Sequence, residues 1–125
     1  MERFMKFILL VVTLFFSLTT ISFGQEFKKA TASSFKKFVV GKTFKDHQTR
    51  ITFKKNGSLE AIWQGQQAAI VKGNYTFSNS EGYCRVATVT TSSGNVRQRP
   101  RQCWPFYIKG KTTIKFAGYT YKLQK

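Results

Sequence analysis

The chain is short of acid: five carboxylates stand against 21 lysines and arginines in 125 residues, a formal charge of +16. It also has a single histidine, His47, and only two cysteines, Cys84 and Cys103. Each shortage closes a class of chemistry. Paired-carboxylate catalysis needs two acids in one cleft, yet beyond Glu2 the acids are Glu26, Asp46, Glu60 and Glu81, scattered over separate segments. Two cysteines and a remote histidine lack the spacing of a zinc site, so no metal or cofactor is expected. Asp46-His47 with a distant serine makes a triad in principle only, because adjacency in sequence is no sign of one. No internal repeat, low-complexity run or second hydrophobic span is present. The chain reads as a non-enzyme.

The one long apolar run lies at the start, in MERFMKFILLVVTLFFSLTTISFG. Arg3 and Lys6 give a charged beginning, Phe7 to Leu18 an apolar core, and Ser22-x-Gly24 small residues at the cleavage positions. Residues 1–24 are therefore expected to be a signal peptide, with the mature chain starting at Gln25. Since Gln25 is not a cysteine, lipid attachment there is not expected. The alternative is an uncleaved anchor, because residues 7–23 approach the lower limit for spanning a bilayer. Removing 24 of the 125 residues leaves 101, one small domain over residues 25–125. A periplasmic or secreted protein meets oxidising conditions, so Cys84 and Cys103 are expected to form a disulfide.

The mature domain carries 19 basic and 4 acidic residues, or +15. Such an excess attracts an anionic polymer or envelope component: a glycan, lipopolysaccharide, nucleic acid or a membrane surface. The alternative is charge that only maintains solubility.

Residues 33–41 predict a short helix. Ser33 or Ser34 would be its N-cap, Phe35, Phe38 and Val39 its apolar stripe, and Gly41 its left-handed end. From Lys42 onward, short alternating segments divided by Gly, Asn and Ser predict antiparallel strands. At Asn56-Gly57, a two-residue turn would set Phe53 against Glu60. A three-residue loop with Gly57 at the bulge position instead pairs Phe53 with Leu59 and Ile51 with Ala61, which puts the apolar residues and Trp63 on one face. Cys84 and Cys103 are equidistant from the midpoint of Ser93-Gly94, so a hairpin turning there would oppose them. The expected architecture is all-β: an antiparallel meander or closed β-barrel of about seven to eight short strands behind one short helix. The aromatic residues spread over those strands are expected to fill its interior.

Arg97, Arg99 and Arg101 would share one face of an extended strand, repeating about every 6.6 Å. Guanidinium groups grip phosphate, sulfate or carboxylate through paired hydrogen bonds, so these three are the candidate anion-binding residues. In the symmetric hairpin they would face Thr90, Thr88 and Val86, none of them acidic. The contrary reading is a solvated edge strand guarded by charge and Pro100.

Gly41-x-Thr43-Phe44, Asn56-Gly57, Gly73-x-Tyr75, Cys84 and Cys103-Trp104 together resemble small exported bacterial β-domains of uncharacterised function. The resemblance runs from Phe35 to Trp104. It implies a periplasmic or secreted β-barrel and no agreed activity; Tyr75 stands where tryptophan is usual, and the arginine row is outside the pattern. The expected function is exported, non-enzymatic binding of an anionic partner through a basic face. The alternatives are a barrel holding a small apolar ligand and an inhibitor or adaptor docking on another exported protein.

Overall fold

The computed structural model describes residues 26–125, and the expected signal peptide lies outside the described residues. In chain order the elements are β1 (Phe27–Lys29), α1 (Ala32–Phe38), β2 (Lys42–Lys45), β3 (Thr49–Phe53) and β4 (Ser58–Trp63). They continue with β5 (Ala69–Ser78), β6 (Gly82–Thr91), β7 (Val96–Trp104), β8 (Phe106–Lys109), β9 (Thr113–Phe116) and β10 (Tyr119–Leu123). The ten strands form one antiparallel sheet in the order β1-β8-β9-β10-β2-β3-β4-β5-β6-β7, curled into a half-barrel.

Ten strands replace the expected seven or eight, and β1 is one that the sequence pattern does not announce. Phe27–Lys29 is exposed along its whole length, so it has no apolar alternation to announce a strand; it exists through pairing with β8. Pro105 lies between Trp104 and Phe106, and it divides one apolar run into the end of β7 and the start of β8.

The first hairpin has the register that its apolar pattern requires. Phe53 opposes Leu59, Ile51 opposes Ala61, and Gly57 takes a φ of 87° at the end of the three-residue loop. Ile51, Phe53, Leu59 and Ala61 are buried together.

The N-cap of α1 lies two to three residues earlier than expected. It is Thr31, not Ser33 or Ser34: Thr31 Oγ1 accepts the Ser34 N–H at 3.1 Å, and Ser34 Oγ accepts the Thr31 N–H at 2.9 Å. Ser34 is thus the reciprocal partner of the cap. The helix presents Phe35 to the concave side of the sheet, where its ring packs against Phe53, Tyr75, Phe77, Tyr83 and Phe106 at centroid distances of 4.6–6.3 Å. Phe116 stacks on Phe106 and meets Tyr83 edge-on, so aromatic rings occupy the middle of the half-barrel.

Candidate anion-binding site

The candidate arginines lie on the β6–β7 hairpin, and its turn decides where they point. Thr91 N–H donates to the Asn95 carbonyl at 2.9 Å, Gly94 N–H donates to the Thr91 carbonyl at 3.0 Å, and Gly94 has a φ of 90°. The loop is therefore Ser92-Ser93-Gly94, three residues closed by a left-handed glycine as in the first hairpin, rather than a two-residue turn on Ser93-Gly94. Near the turn Val89 opposes Arg97, Thr88 opposes Gln98 and Ala87 opposes Arg99, one residue away from the symmetric register. A β-bulge then sets Val86 against both Pro100 and Arg101, after which Arg85 opposes Gln102 and Cys84 opposes Cys103. The bulge takes in Pro100, which has no N–H to give to the ladder. Cys84 and Cys103 are disulfide-bonded, with Cα atoms 4.0 Å apart.

The bulge splits the arginine row. Arg97 and Arg99 share the side of Val89 and Ala87, which are buried in the core, so both start from the concave face and reach solvent along the sheet's edge. Arg101, beyond the extra residue, falls with Cys103 on the other face. There it meets Glu81 through two hydrogen bonds, Nη1 to Oε2 at 3.0 Å and Nη2 to Oε1 at 3.1 Å. The hydrogen bond and the charge of Arg101 hold the Glu81 carboxyl below its usual range. The cross-strand neighbours are thus Val89 and Ala87 instead of Thr90 and Thr88, and Arg101 has a counter-charge. Among the described residues Arg97 and Arg99 have none.

The same concave side holds a third arginine. Arg85 is two residues from buried Ala87 in the β6 alternation, and its guanidinium lies 4.9 Å from the Trp104 ring centroid. The arrangement is Arg85, Arg97 and Arg99 on one side of a hairpin, with Gln102 opposite Arg85 and Trp104 beyond it, opposite Tyr83. The alternation Tyr83, Arg85, Ala87, Val89 was readable in the sequence, but only a correct register ties it to Arg97 and Arg99.

Beneath this hairpin the interior is aromatic. Tyr83 is fully buried, and among the described residues its hydroxyl has no hydrogen-bond partner. Burial pushes that hydroxyl far above the usual phenol range, while the Arg85 charge pulls the other way. Tyr121 is pushed up to about 12, first by burial and then by the charge of Asp46.

The other reactive groups remain apart. The Asp46 carboxylate accepts N–H bonds from Gln48 and Thr49 at 2.8 and 2.7 Å, which fixes the β2–β3 turn, and His47 beside it is exposed. Glu60 pairs with Lys54 at 3.3 Å. Glu81 lies near Cys84 and Cys103, but the two sulfur atoms are bonded to each other. One cleft of about 420 Å³ lies between β1, α1 and β8, and one of about 210 Å³ lies beside Asp46, His47 and Arg50; neither is lined by Arg85, Arg97, Arg99 or Arg101. No family model, curated protein or solved structure matches the chain.

Proposed function

We propose that this is an exported, non-catalytic binding protein, periplasmic or secreted, whose basic face engages an anionic polymer or envelope component. The observation that carries the reading is the contrast along one strand. Arg101 is neutralised by Glu81, whereas Arg97 and Arg99 project from an edge with no paired carboxylate among the described residues. Unpaired guanidinium groups on a domain of +15 are free to grip phosphate or sulfate. The disulfide supports an oxidising compartment, and among the described residues no helix is long and apolar enough to cross a membrane. The aromatic rings packed inside the half-barrel speak against a ligand cavity there. We also propose kinship with the small exported β-domains that the glycine, turn and cysteine positions resemble.

The test replaces Arg97 and Arg99 with glutamine and measures heparin affinity against salt. Each lost contact flattens the salt slope by nearly one unit, so the expected change is about 1.5 to 2 units. The control carries Lys28→Gln and Lys36→Gln, which remove the same charge from exposed positions elsewhere. Equal losses in both variants would show only diffuse attraction.

A further inference from the structure

The sheet register aligns ten residues in one row across the whole molecule. From edge to edge it reads Phe27, Lys109, Thr113, Lys122, Lys45, Arg50, Ile62, Ile70, Thr90, Val96, each directly opposite the next. Directly opposed residues share a face. This row lies on the face away from the core, because its neighbours in the strand alternation, Phe44, Ile51, Ala61, Val71 and Val89, are buried on the other side. Neighbouring strands are about 4.8 Å apart, so the cations from Lys109 to Arg50 span about 19 Å of convex surface.

Three cations in this row, Lys122, Lys45 and Arg50, are consecutive cross-strand neighbours. Like charges directly opposite each other destabilise a sheet. The row contains no carboxylate in any of its ten positions. Asp46, next to Lys45 in sequence, is spent on the turn; Glu60 and Glu81 are spent on Lys54 and Arg101. A parallel row on the same face, Lys29, Tyr107, Lys115, Thr120, adds two more cations and again no acid. Lys109 and Lys115 settle over the Phe27 ring, each 5.6 Å from its centroid, an aromatic face taking the place of an anion.

We propose that this convex face of β8, β9, β10, β2 and β3 is a second binding surface, whose ligand is a flexible linear phosphate polymer laid across the strands. This rests on the proposed function and deepens it. A row of positive charges running perpendicular to the strands matches a chain of negative charges. Curvature favours a polymer that can bend over the sheet, since a flat bilayer touches a convex surface along only part of the row. Lysine ammonium groups serve as point charges for phosphate. The row from Lys109 to Arg50 itself carries no aromatic, and of those at its β1–β8 end, Phe27 and Tyr107, the Phe27 ring is already covered by Lys109 and Lys115, so the surface suits the phosphate backbone more than stacked bases.

The experiment uses the mature protein and long-chain inorganic polyphosphate as the probe. The variant Lys45→Gln/Arg50→Gln/Lys122→Gln should bind at least about tenfold more weakly at moderate salt, with a salt slope flatter by about two to three units. Its thermal midpoint should rise, because the substitutions remove cross-strand repulsion; that guards against loss of binding through misfolding. The control Lys28→Gln/Lys36→Gln/Lys55→Gln removes equal charge from exposed positions. Equal losses in variant and control, or strong binding to anionic vesicles with none to polyphosphate, would overturn the proposal. If Arg97→Gln/Arg99→Gln alone abolishes polyphosphate binding, the convex surface fails and the proposed function stands. If the wild-type protein binds no polyanion, both fail.

Discussion

Arg99 and Arg101 are two positions apart on one strand, yet one is free and the other is held by a carboxylate, because a single extra residue lies between them. Position in the alternation, more than residue type, sets what a side chain can do. The tyrosines of β10 differ instead by place along the strand, since they share one face with rings 6.4 Å apart. Tyr119 is largely exposed, whereas Tyr121, two residues on, is buried and titrates at about 12, with burial the main cause and Asp46 the next. An ordinary phenol loses its proton near pH 10. Between about pH 10 and 12 the unfolded chain therefore binds fewer protons at this residue than the folded one, and folding stability falls as pH rises through that window. Tyr83 contributes with the same sign. Tyr121→Phe should remove part of this alkaline loss. Across the window the thermal midpoint of the unaltered protein should fall by more than that of the variant; parallel falls would count against it.

At the scale of elements, two hairpins with the same loop design set the registers. Lys55-Asn56-Gly57 and Ser92-Ser93-Gly94 are both three-residue loops ending in a left-handed glycine. The bulge of the second hairpin has a counterpart on β5. Gly73 pairs with Ala87, and a side chain on it would overlap the Val86 carbonyl and the Ala87 backbone. Gly73→Ala should accordingly destabilise the fold by about 3 kcal/mol or more, read from denaturant unfolding; a neutral effect would mean that β6 can give way. The first hairpin was legible because Phe53, Leu59, Ile51 and Ala61 left one register with an apolar face. The second was not, because β7 carries arginines and glutamines on both faces and offers no such arbiter. The cysteine pair was opposed as expected, but by a shorter route to the turn plus a bulge. Symmetry about Ser93-Gly94 thus identified the bridge and misplaced the arginines. β1 escaped notice because its three exposed residues have no periodicity of their own. The convex row was beyond reach for a different reason. Lys122, Lys45 and Arg50 belong to three strands, and their order depends on β10 returning to β2.

At the scale of the molecule, the half-barrel separates its core from its charge. Aromatic rings fill the concave middle and supply the core, while basic residues occupy the convex face and the outlying edge strand. Four carboxylates in the described residues cannot balance that charge, and at least three of them already serve turns or ion pairs. Cations without a paired carboxylate are what both basic surfaces have in common, and the proposed attraction to an anionic chain rests on them. The most direct test is the affinity of the unaltered mature protein for long-chain polyphosphate across a range of salt. Five contacts, from Arg97, Arg99, Lys45, Arg50 and Lys122, predict that log K falls with log salt at a slope of about −3.5 to −4.5. A slope near zero, with affinity retained at high salt, would contradict polyanion binding as the function.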